Sequence, residues 1–397
     1  MKVITNIGQI IRDELQQVIS DHSIFLTVIA APILYAFFLG SIYLNKDINE
    51  IPFGVVDYDH SHASRELIRQ LSASPKIKLT KTLMNDKEAD RELKNQNIQG
   101  FVVFPKNFEK DILKQKEAHV NLFLNTTRFL PSNTLNMAVN KVILQTGTHI
   151  RLQHFEAANG INSKIALKMT DPIKPNIKPI YNHTNNYGDF LLPALFFIIL
   201  QQTLVLGMAE SISSDRQNGL LGPALQASRH GIISYMVGKP AYYIVLYAAY
   251  LLFFTWVIFP AFQLPVATSL IPIFVVSLLF IVATAIYSML IGSYIKKQTH
   301  AMEILAFSTY PLFLLSGYSW PLSSMPAVLQ GFAALIPTTP MLEAMRRLYL
   351  MGGSWQTVIP QFQHLLLILG FAALLLTARL FQIKKKMQTI NMGNKTA

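Results

Sequence analysis

The sequence predicts a polytopic α-helical membrane protein with six transmembrane helices and an α/β (α+β) domain inserted between the first two. Three observations support this fold class. Charged residues make up 14% of the 397-residue chain, whereas a typical soluble domain has about 25%. They are sparse between Phe190 and Leu380, where long apolar stretches alternate with short polar ones. Residues 45–188 instead have the Lys, Asp and Glu content of a soluble domain.

Residues 1–22 predict an amphipathic helix. Its apolar side chains recur every three or four residues: Ile4, Ile7, Ile11, Leu15 and Val18. The opposite face is polar: Arg12, Asp13, Glu14, Gln16 and Gln17. Such a helix can lie in the plane of the membrane interface. Packing on a soluble core is the weaker alternative, because a membrane span follows directly.

Apolar stretches predict the six transmembrane helices. Residues 23–44 carry no charge, are long enough to cross a hydrocarbon core of about 30 Å, and begin too far from Met1 for a signal peptide. Five further spans are expected within residues 189–383: 189–209, 240–262, 271–295, 301–317 and 362–381. A polar loop, 210–239, follows the second span. The Pro-broken segment 318–359 predicts two short half-helices at the outer face, one of them re-entrant, and 384–397 form a basic tail.

Residues 45–188 alternate between strand and helix patterns. Four strands are predicted within 51–59, 76–83, 98–105 and 119–127. Helices are predicted within 61–71, 85–97 and 106–116, and a long one from Pro131 towards residue 159. This alternation favours a small sheet covered by helices. Prolines at 172, 175 and 179 predict a stiff linker back to the membrane.

The positive charges favour one orientation in the membrane. Short loops rich in Lys and Arg stay in the cytoplasm, whereas long domains are translocated regardless of charge. With six spans, both termini and the loop 210–239 are cytosolic, and residues 45–188 are extracytoplasmic in a bacterial inner membrane. The net charge of +12 follows from this topology and does not indicate nucleic acid. Without cysteine, disulfides and thiolate metal sites are excluded.

Motifs for catalysis are absent from the sequence. Gly238-Lys239-Pro240 lacks the upstream glycine and the Ser/Thr of a phosphate-binding loop, so no ATP hydrolysis and no directly bound cofactor are expected. Asp57, Asp59, His60 and His62 have a composition that could bind a divalent metal. A strand end followed by a helix cap explains the same residues better, so no metal site is predicted.

Two polar groups within the apolar region are candidates for a transport pathway or outer gate. Gln201 and Gln202 in the second span, with Ser308 and Thr309 in the fifth, could line a polar path or form hydrogen bonds between helices. Glu343 and Arg346, on a short helix at the outer face, could meet lipid phosphates or an anionic substrate. Pairing of Arg346 and Arg347 with Glu343 is the local alternative.

In its order of motifs the whole chain resembles ABC-2 type permeases, the membrane subunits of type-2 ABC exporters, and in particular bacterial members with a large extracytoplasmic domain. The resemblance rests on the stretch VVDYDHSHASREL after the first span and on Glu210 to Gly219 after the second. Gly238-Lys239 before the third span and residues 314–347, LLSGYSWPLSSMPAVLQGFAALIPTTPMLEAMRR, complete it. The spacing from Glu210 to Gly219 is longer than usual, and Leu220 replaces a frequent threonine.

The resemblance implies a short coupling helix within 211–234 that sits in a groove of a cytosolic ATPase. Glycines and a proline in this stretch are expected to break the backbone there. The expected coupling residues are Glu210, Asp215, Arg216, Gly219, Gly222, Pro223, Arg229 and Lys239. The resemblance also implies a dimer with a second copy or a paralogue, ATP and Mg²⁺ bound by the partner ATPase, and contact with membrane lipids.

The expected function is therefore that of the permease subunit of an ATP-driven exporter of multidrug or lipid-like, hydrophobic substrates. A periplasmic adaptor could join the complex. One alternative is a membrane-anchored receptor or envelope-interaction protein that binds a ligand or adaptor through residues 45–188. Another is a lipid-modifying enzyme using Glu343 and Arg346, although no convergent set of acid, base and nucleophile supports it.

Overall fold

A computed structural model of the chain describes residues 2–44, 48–114, 116–159, 180–181, 187–226, 231–264, 266 and 269–396. The chain forms two compact units. One comprises Asp47–Lys178, and the other comprises Met1–Lys46 together with Pro179–Ala397. The predicted proline linker lies outside the described residues.

The unit Asp47–Lys178 is built on a four-stranded sheet. Its strands are β1 (Ile51–Asp57), β2 (Ile77–Leu83), β3 (Gly100–Phe104) and β4 (Asn121–Leu124), in the order β2-β1-β3-β4. Strand β1 pairs in parallel with β2 and β3, and β4 runs antiparallel to β3. The four predicted strands are confirmed within a few residues at each end.

Helices cover both faces of this sheet. They are α3 (His62–Ser72), α4 (Asp86–Lys94), α5 (Phe108–Leu113) and α6 (Phe129–Asn159). One apolar core holds Phe53 and Phe104 of the sheet with Leu67 of α3 and Leu135 of α6. The other face buries Val56, Phe101 and Val103 against α4. Continuous burial of β3 is the pattern of a strand covered on both sides.

The second unit contains ten helices among the residues described. They are α1 (Lys2–Ser20), α2 (His22–Ile42), α7 (Tyr187–Gln217), α8 (Leu221–Gln226), α9 (Gly231–Ala261), α10 (Leu270–Gly292), α11 (Gln298–Leu315), α12 (Ala327–Ala334), α13 (Thr338–Met345) and α14 (Trp355–Thr396). A π-helical turn, Arg346–Leu350, follows α13. Helix α7 is the most buried of the long apolar helices and packs on α10, α11 and α2.

Five of these helices are long and apolar enough to cross a membrane: His22–Ile42, Tyr187–Gln217, Gly231–Ala261, Leu270–Gly292 and Trp355–Lys386. Large apolar side chains such as Phe38 and Leu367 are exposed on them, as is expected of a surface that faces lipid. The chain is therefore a polytopic helical membrane protein. The predicted fifth span coincides with α11, but it is not among the five, because Gln298, His300 and Glu303 lower the hydropathy of an 18-residue helix.

The loop between the second and third spans is shorter than the predicted 210–239. Several of its polar residues therefore lie in helices. Helix α7 continues to Gln217, and α9 starts at Gly231 instead of at Pro240. Glu210, Asp215 and Lys239 are therefore helical. Helical structure extends beyond the apolar segments because these polar side chains find partners on neighbouring helices.

Helix α8 is the short helix predicted between the second and third spans. Gly219, with φ +72°, ends the turn that follows α7, a backbone conformation that glycine adopts without steric cost. Gly222 and Pro223 were predicted to break the backbone, and for these two residues the prediction was wrong. They lie in the first turn of α8, where the missing N–H of proline costs no hydrogen bond.

Candidate functional site

A buried ion cluster joins α1, α7 and α9. The ammonium group of Lys239 on α9 pairs with a carboxylate oxygen of Glu14 on α1, and it lies 2.7 Å from Asp215 Oδ2 on α7. The side chains of Lys239 and Glu14 are 3% and 1% exposed, and that of Asp215 is 10% exposed. Removal of Lys239 would leave both carboxylates buried without a counter-charge, a strongly unfavourable state.

Neutral groups complete the hydrogen bonding of the cluster. Tyr235 Oη donates to Asp215 Oδ2 at 2.8 Å, and Lys239 Nζ donates to Gln17 Oε1 at 3.1 Å. Ser211 Oγ donates to Glu14 Oε1 at 2.5 Å. With one ammonium and two carboxylates, the ionised cluster has a net charge of −1. We call Glu14, Gln17, Ser211, Asp215, Tyr235 and Lys239 the three-helix ion cluster.

Helix α1 reaches the cluster by packing closely on α9. A Cβ atom placed on Gly238 would lie 3.0 Å from Cβ of Ile10, so the absence of a side chain at Gly238 allows this approach. Glu14 was predicted on the polar face of α1, opposite the apolar side chains, and the structure buries its side chain. The side chain turns inward because Lys239 and Ser211 provide its partners. The amphipathic helix is therefore docked on the helical unit.

A second polar group lies near the same end of α7. Glu210 is fully buried, and Oγ of Ser23 donates to its Oε2 at 2.8 Å. Gln298 Nε2 donates to Asp21 Oδ2 at 2.8 Å. Arg216 donates from Nη1 to the carbonyl oxygen of Ser293 at 2.8 Å. These bonds connect the end of α7 with the starts of α2 and α11 and with the end of α10.

A cleft of about 870 Å³ opens beside the three-helix ion cluster. Its walls come from α1, the end of α7, α8 and the start of α9. Carboxylates of Asp13, Glu14, Asp21 and Asp215 line it, and Lys239 is the cation among its described lining residues. The cleft is therefore an acidic surface formed jointly by α1 and the short helix α8.

The predicted coupling residues thus fall into two groups. Glu210, Asp215 and Lys239 are buried, and Arg216 binds backbone carbonyls within the chain, so direct contact of these side chains with a partner is not supported. Gly219 and Pro223 are exposed around α8, whereas Gly222 is buried. Arg229 lies outside the described residues.

Glu14, Gln17, Ser211 and Tyr235, the other members of the three-helix ion cluster, were not among the predicted site residues. A usable signal was the position of Lys239, a lone cation beside an apolar span. If the helix starts before the apolar stretch, this cation lies within the helix bundle, where it requires a nearby carboxylate. Nothing in the sequence identified Glu14 as that partner, because the pairing joins residues more than 200 positions apart.

The candidate pathway residues are occupied by bonds within the helical unit. Gln202 Nε2 donates to the carbonyl oxygen of Leu305 on α11 at 2.6 Å, and Thr338 donates to Gln201. Ser308 and Thr309 donate to carbonyl oxygens of their own helix. For the two glutamines, this geometry favours hydrogen bonding between helices over the lining of a polar path.

Glu343 holds both neighbouring arginines. Its carboxylate lies 3.1 Å from Arg346 Nη1 and 2.9 Å from Arg347 Nε. The guanidinium of Arg346 also lies over the ring of Tyr318, 5.0 Å from its centroid. Local pairing is therefore present, as the alternative interpretation expected. No acid, base and nucleophile converge there among the described residues.

Helix and turn capping accounts for Asp57 and Asp59. Asp57 Oδ1 accepts the amides of Asp59 and His60, each at 3.0 Å. Asp59 accepts the amides of Phe108 and Glu109 at 3.1 and 2.9 Å, which are unpaired donors at the start of α5. No group of three or more His, Asp or Glu with the spacing of a metal site occurs among the described residues.

The bonds to Asp59 predict a pH dependence. Burial raises its pKa, but bonds from Ser61 and from the amides of Asn107, Phe108 and Glu109 outweigh burial and lower the pKa below 3.8. The carboxylate therefore stabilises the folded state at neutral pH, and this contribution is lost as the pH falls through the lowered pKa.

We expect Asp59→Asn to lower the free energy of unfolding at pH 7 by about 1 kcal/mol. The variant should also lose part of the decrease in stability that the wild type shows below about pH 4. Thermal unfolding measured between pH 3 and 7 tests this. Glu117→Gln, which changes an exposed carboxylate, is the control and should follow the wild type. Identical pH profiles for Asp59→Asn and the wild type would contradict the assignment.

Comparison with known proteins identifies the family. Residues 22–380 match the family model described as ABC-2 family transporter protein. The chain belongs to this family. The matched region includes α2, the inserted unit and all of α7 to α13, so the family assignment covers both units of the chain.

Relatives of this ABC-2 family chain are permeases by name. It is 23% identical over 342 residues to the probable multidrug ABC transporter permease YbhS of Escherichia coli (strain K12), covering 85% of this chain and 87% of the relative. It is 22% identical over 361 residues to the probable multidrug ABC transporter permease YbhR of the same organism, covering 90% and 94%. It is 21% identical over 373 residues to its inner membrane transport permease YhhJ, covering 93% and 95%.

Proposed function

We propose that this ABC-2 family chain is the permease subunit of an ATP-driven exporter. Two of its relatives are named as probable multidrug ABC transporter permeases, and a third as an inner membrane transport permease. The sequence contains no phosphate-binding loop. Separate cytosolic ATPase subunits therefore bind ATP and Mg²⁺, and the chain itself binds neither.

In the proposed topology the chain crosses the bacterial inner membrane six times. Helix α11 is the crossing added to the five long apolar helices, fifth in chain order, and its polar start is stabilised by its bonds to Asp21 and Gln217. Both termini, α1 and α8 are cytosolic, which places the cluster Lys384, Lys385 and Lys386 inside in agreement with the positive-inside rule. The unit Asp47–Lys178 is extracytoplasmic, where an adaptor protein has access to it.

The observation that supports coupling best is the three-helix ion cluster. It ties α1, α7 and α9 together directly beside α8 and the acidic cleft. A displacement of α8 is therefore transmitted at the same time to the membrane-spanning helices α7 and α9 and to the docked helix α1. Closure of two ATPase subunits on ATP shifts the helical unit between inward- and outward-facing states in this way. Two copies, or this chain and a paralogue, form the pathway for a hydrophobic drug or lipid-like substrate.

Co-purification tests the proposal. The chain, expressed with its ATPase subunit and solubilised in detergent, is expected to retain that subunit through affinity and size-exclusion steps. A variant lacking residues 218–226 should lose the ATPase while its own elution volume is unchanged. The receptor alternative would be supported instead if the chain never retains an ATPase and the unit Asp47–Lys178 binds a ligand.

A further inference from the structure

A cavity with several polar side chains in its lining and an apolar groove meet on one face of α14. The cavity, of about 470 Å³, lies between the end of α11, α12, α13 and the first turns of α14. The groove, of about 320 Å³, is lined by apolar side chains of α10, α12 and α14. Ala334 and His364 line both, so the two spaces adjoin at these residues.

Along α14, the side chains that line the cavity come first and those that line the groove follow. Pro360, Gln361 and His364 line the cavity, and Leu367, Ile368, Phe371 and Ala372 continue the same helix face into the groove. At 1.5 Å per residue, the stretch from Pro360 to Ala372 is about 18 Å long. Half the thickness of a bilayer's hydrocarbon core is about 15 Å. The groove itself takes up the part from His364 to Ala372, about 12 Å, so it can hold most of a hydrocarbon tail within one leaflet.

Positive charge is in excess beside the cavity. One carboxylate, that of Glu343, is shared by the guanidinium groups of Arg346 and Arg347. Only Arg346 of these two arginines lines the cavity. Guanidinium groups bind phosphate oxygens through charge-assisted hydrogen bonds. Glu343 and Arg346 both line the cavity and balance each other there, and Arg347, just outside the lining, supplies the local excess of positive charge that favours a ligand with one negative charge.

Unmet hydrogen-bonding capacity is concentrated in the same place. Thr339 Oγ1, Arg346 Nε and Gln361 Oε1 are buried without a hydrogen-bond partner, and all three residues line the cavity. Buried polar atoms without partners are rare in native proteins and mark sites that require explanation. At the junction, His364 Nε2 donates to the carbonyl oxygen of Ala334 at 2.7 Å, which fixes the ring between cavity and groove.

We propose that the cavity and groove bind one anionic phospholipid, with its phosphate at Arg346 and one acyl chain along Leu367 and Phe371. The ligand is a membrane lipid held at a defined site on each chain. This inference requires neither the ATPase nor transport, so its failure would leave the proposed function intact.

Lipid binding to the delipidated full-length protein tests the proposal. Native mass spectrometry counts the phosphatidylglycerol molecules retained at each added concentration. Arg346→Gln is expected to weaken binding about tenfold or more, because a charged hydrogen bond to phosphate is lost. Glu343 keeps Arg347 as its partner, so the fold is retained. Ala334→Phe, a change at an exposed position, places a ring at the junction and should weaken binding comparably.

Controls separate this site from general lipid adhesion. Arg379→Gln removes an arginine on α14 that lies over Tyr294, and this variant should bind as the wild type does. Phosphatidylcholine should bind more weakly than phosphatidylglycerol, and millimolar inorganic phosphate should not displace the lipid. Wild-type binding by both Arg346→Gln and Ala334→Phe would overturn the proposal, as would equal binding of the two lipids. Displacement by phosphate alone would show a site for free phosphate instead.

Discussion

Lys239→Met is expected to lower the stability of the helical unit more than any other single substitution in the three-helix ion cluster. Methionine keeps most of the length and volume of the lysine side chain but leaves Glu14 and Asp215 buried without a counter-charge. Breaking a buried ion pair in this way costs about 3–5 kcal/mol. The melting temperature in detergent, followed by intrinsic fluorescence, should fall clearly, and the yield of monodisperse protein should fall with it.

Two further variants make this result specific. Lys296→Met removes an exposed cation from the loop after α10 and should leave the melting temperature close to that of the wild type. Adding Glu14→Gln to Lys239→Met removes one of the two uncompensated carboxylates and should recover part of the loss. A melting temperature for Lys239→Met equal to that of the wild type would contradict the role given to the cluster.

Leu220→Asp is expected to abolish coupling while the chain remains folded. Leu220 directly precedes α8, and its side chain is 57% exposed, so the aspartate is tolerated in the free permease. A charge placed in the proposed interface with the ATPase must be desolvated without a partner, and central interface residues contribute about 2 kcal/mol or more. Substrate export in proteoliposomes should fall about tenfold or more.

The matched control is Leu113→Asp, which changes an exposed leucine at the end of α5 in the other unit. It should export at the wild-type rate. Export by Leu220→Asp at the wild-type rate, with an unchanged melting temperature for both variants, would show that α8 is not the coupling element.

Local patterns predicted the unit Asp47–Lys178 well. Alternation and turn residues located all four strands because each strand is short, apolar and flanked by polar turns. Ser61 caps α3 in a reciprocal bond with Ser64, at the helix cap predicted after the first strand. The segment 318–359 also contains two short helices, α12 and α13, as its prolines indicated.

Long-range pairing explains most errors in the helical unit. Hydropathy placed the end of the second span near residue 209 and the start of the third at Pro240, whereas the helices continue through Asp215 and Lys239. Those polar side chains satisfy one another across helices, and a hydropathy profile contains no such information. The same pairing with Lys239 turned Glu14 inward. Hydropathy also cannot decide whether α11, with its polar first turn, crosses the membrane.

Single-cysteine cross-linking tests the central claim, that α8 docks on a separate ATPase, most directly. The chain has no native cysteine, so one introduced cysteine carries its sole thiol. Leu220→Cys, treated in membranes that contain the ATPase subunit with a short cross-linker that joins a thiol to a lysine amine, should give one adduct of permease and ATPase. Met84→Cys, at an 86% exposed position in the other unit, should give none. An absent adduct at Leu220→Cys, or equal adducts at both positions, would contradict the account.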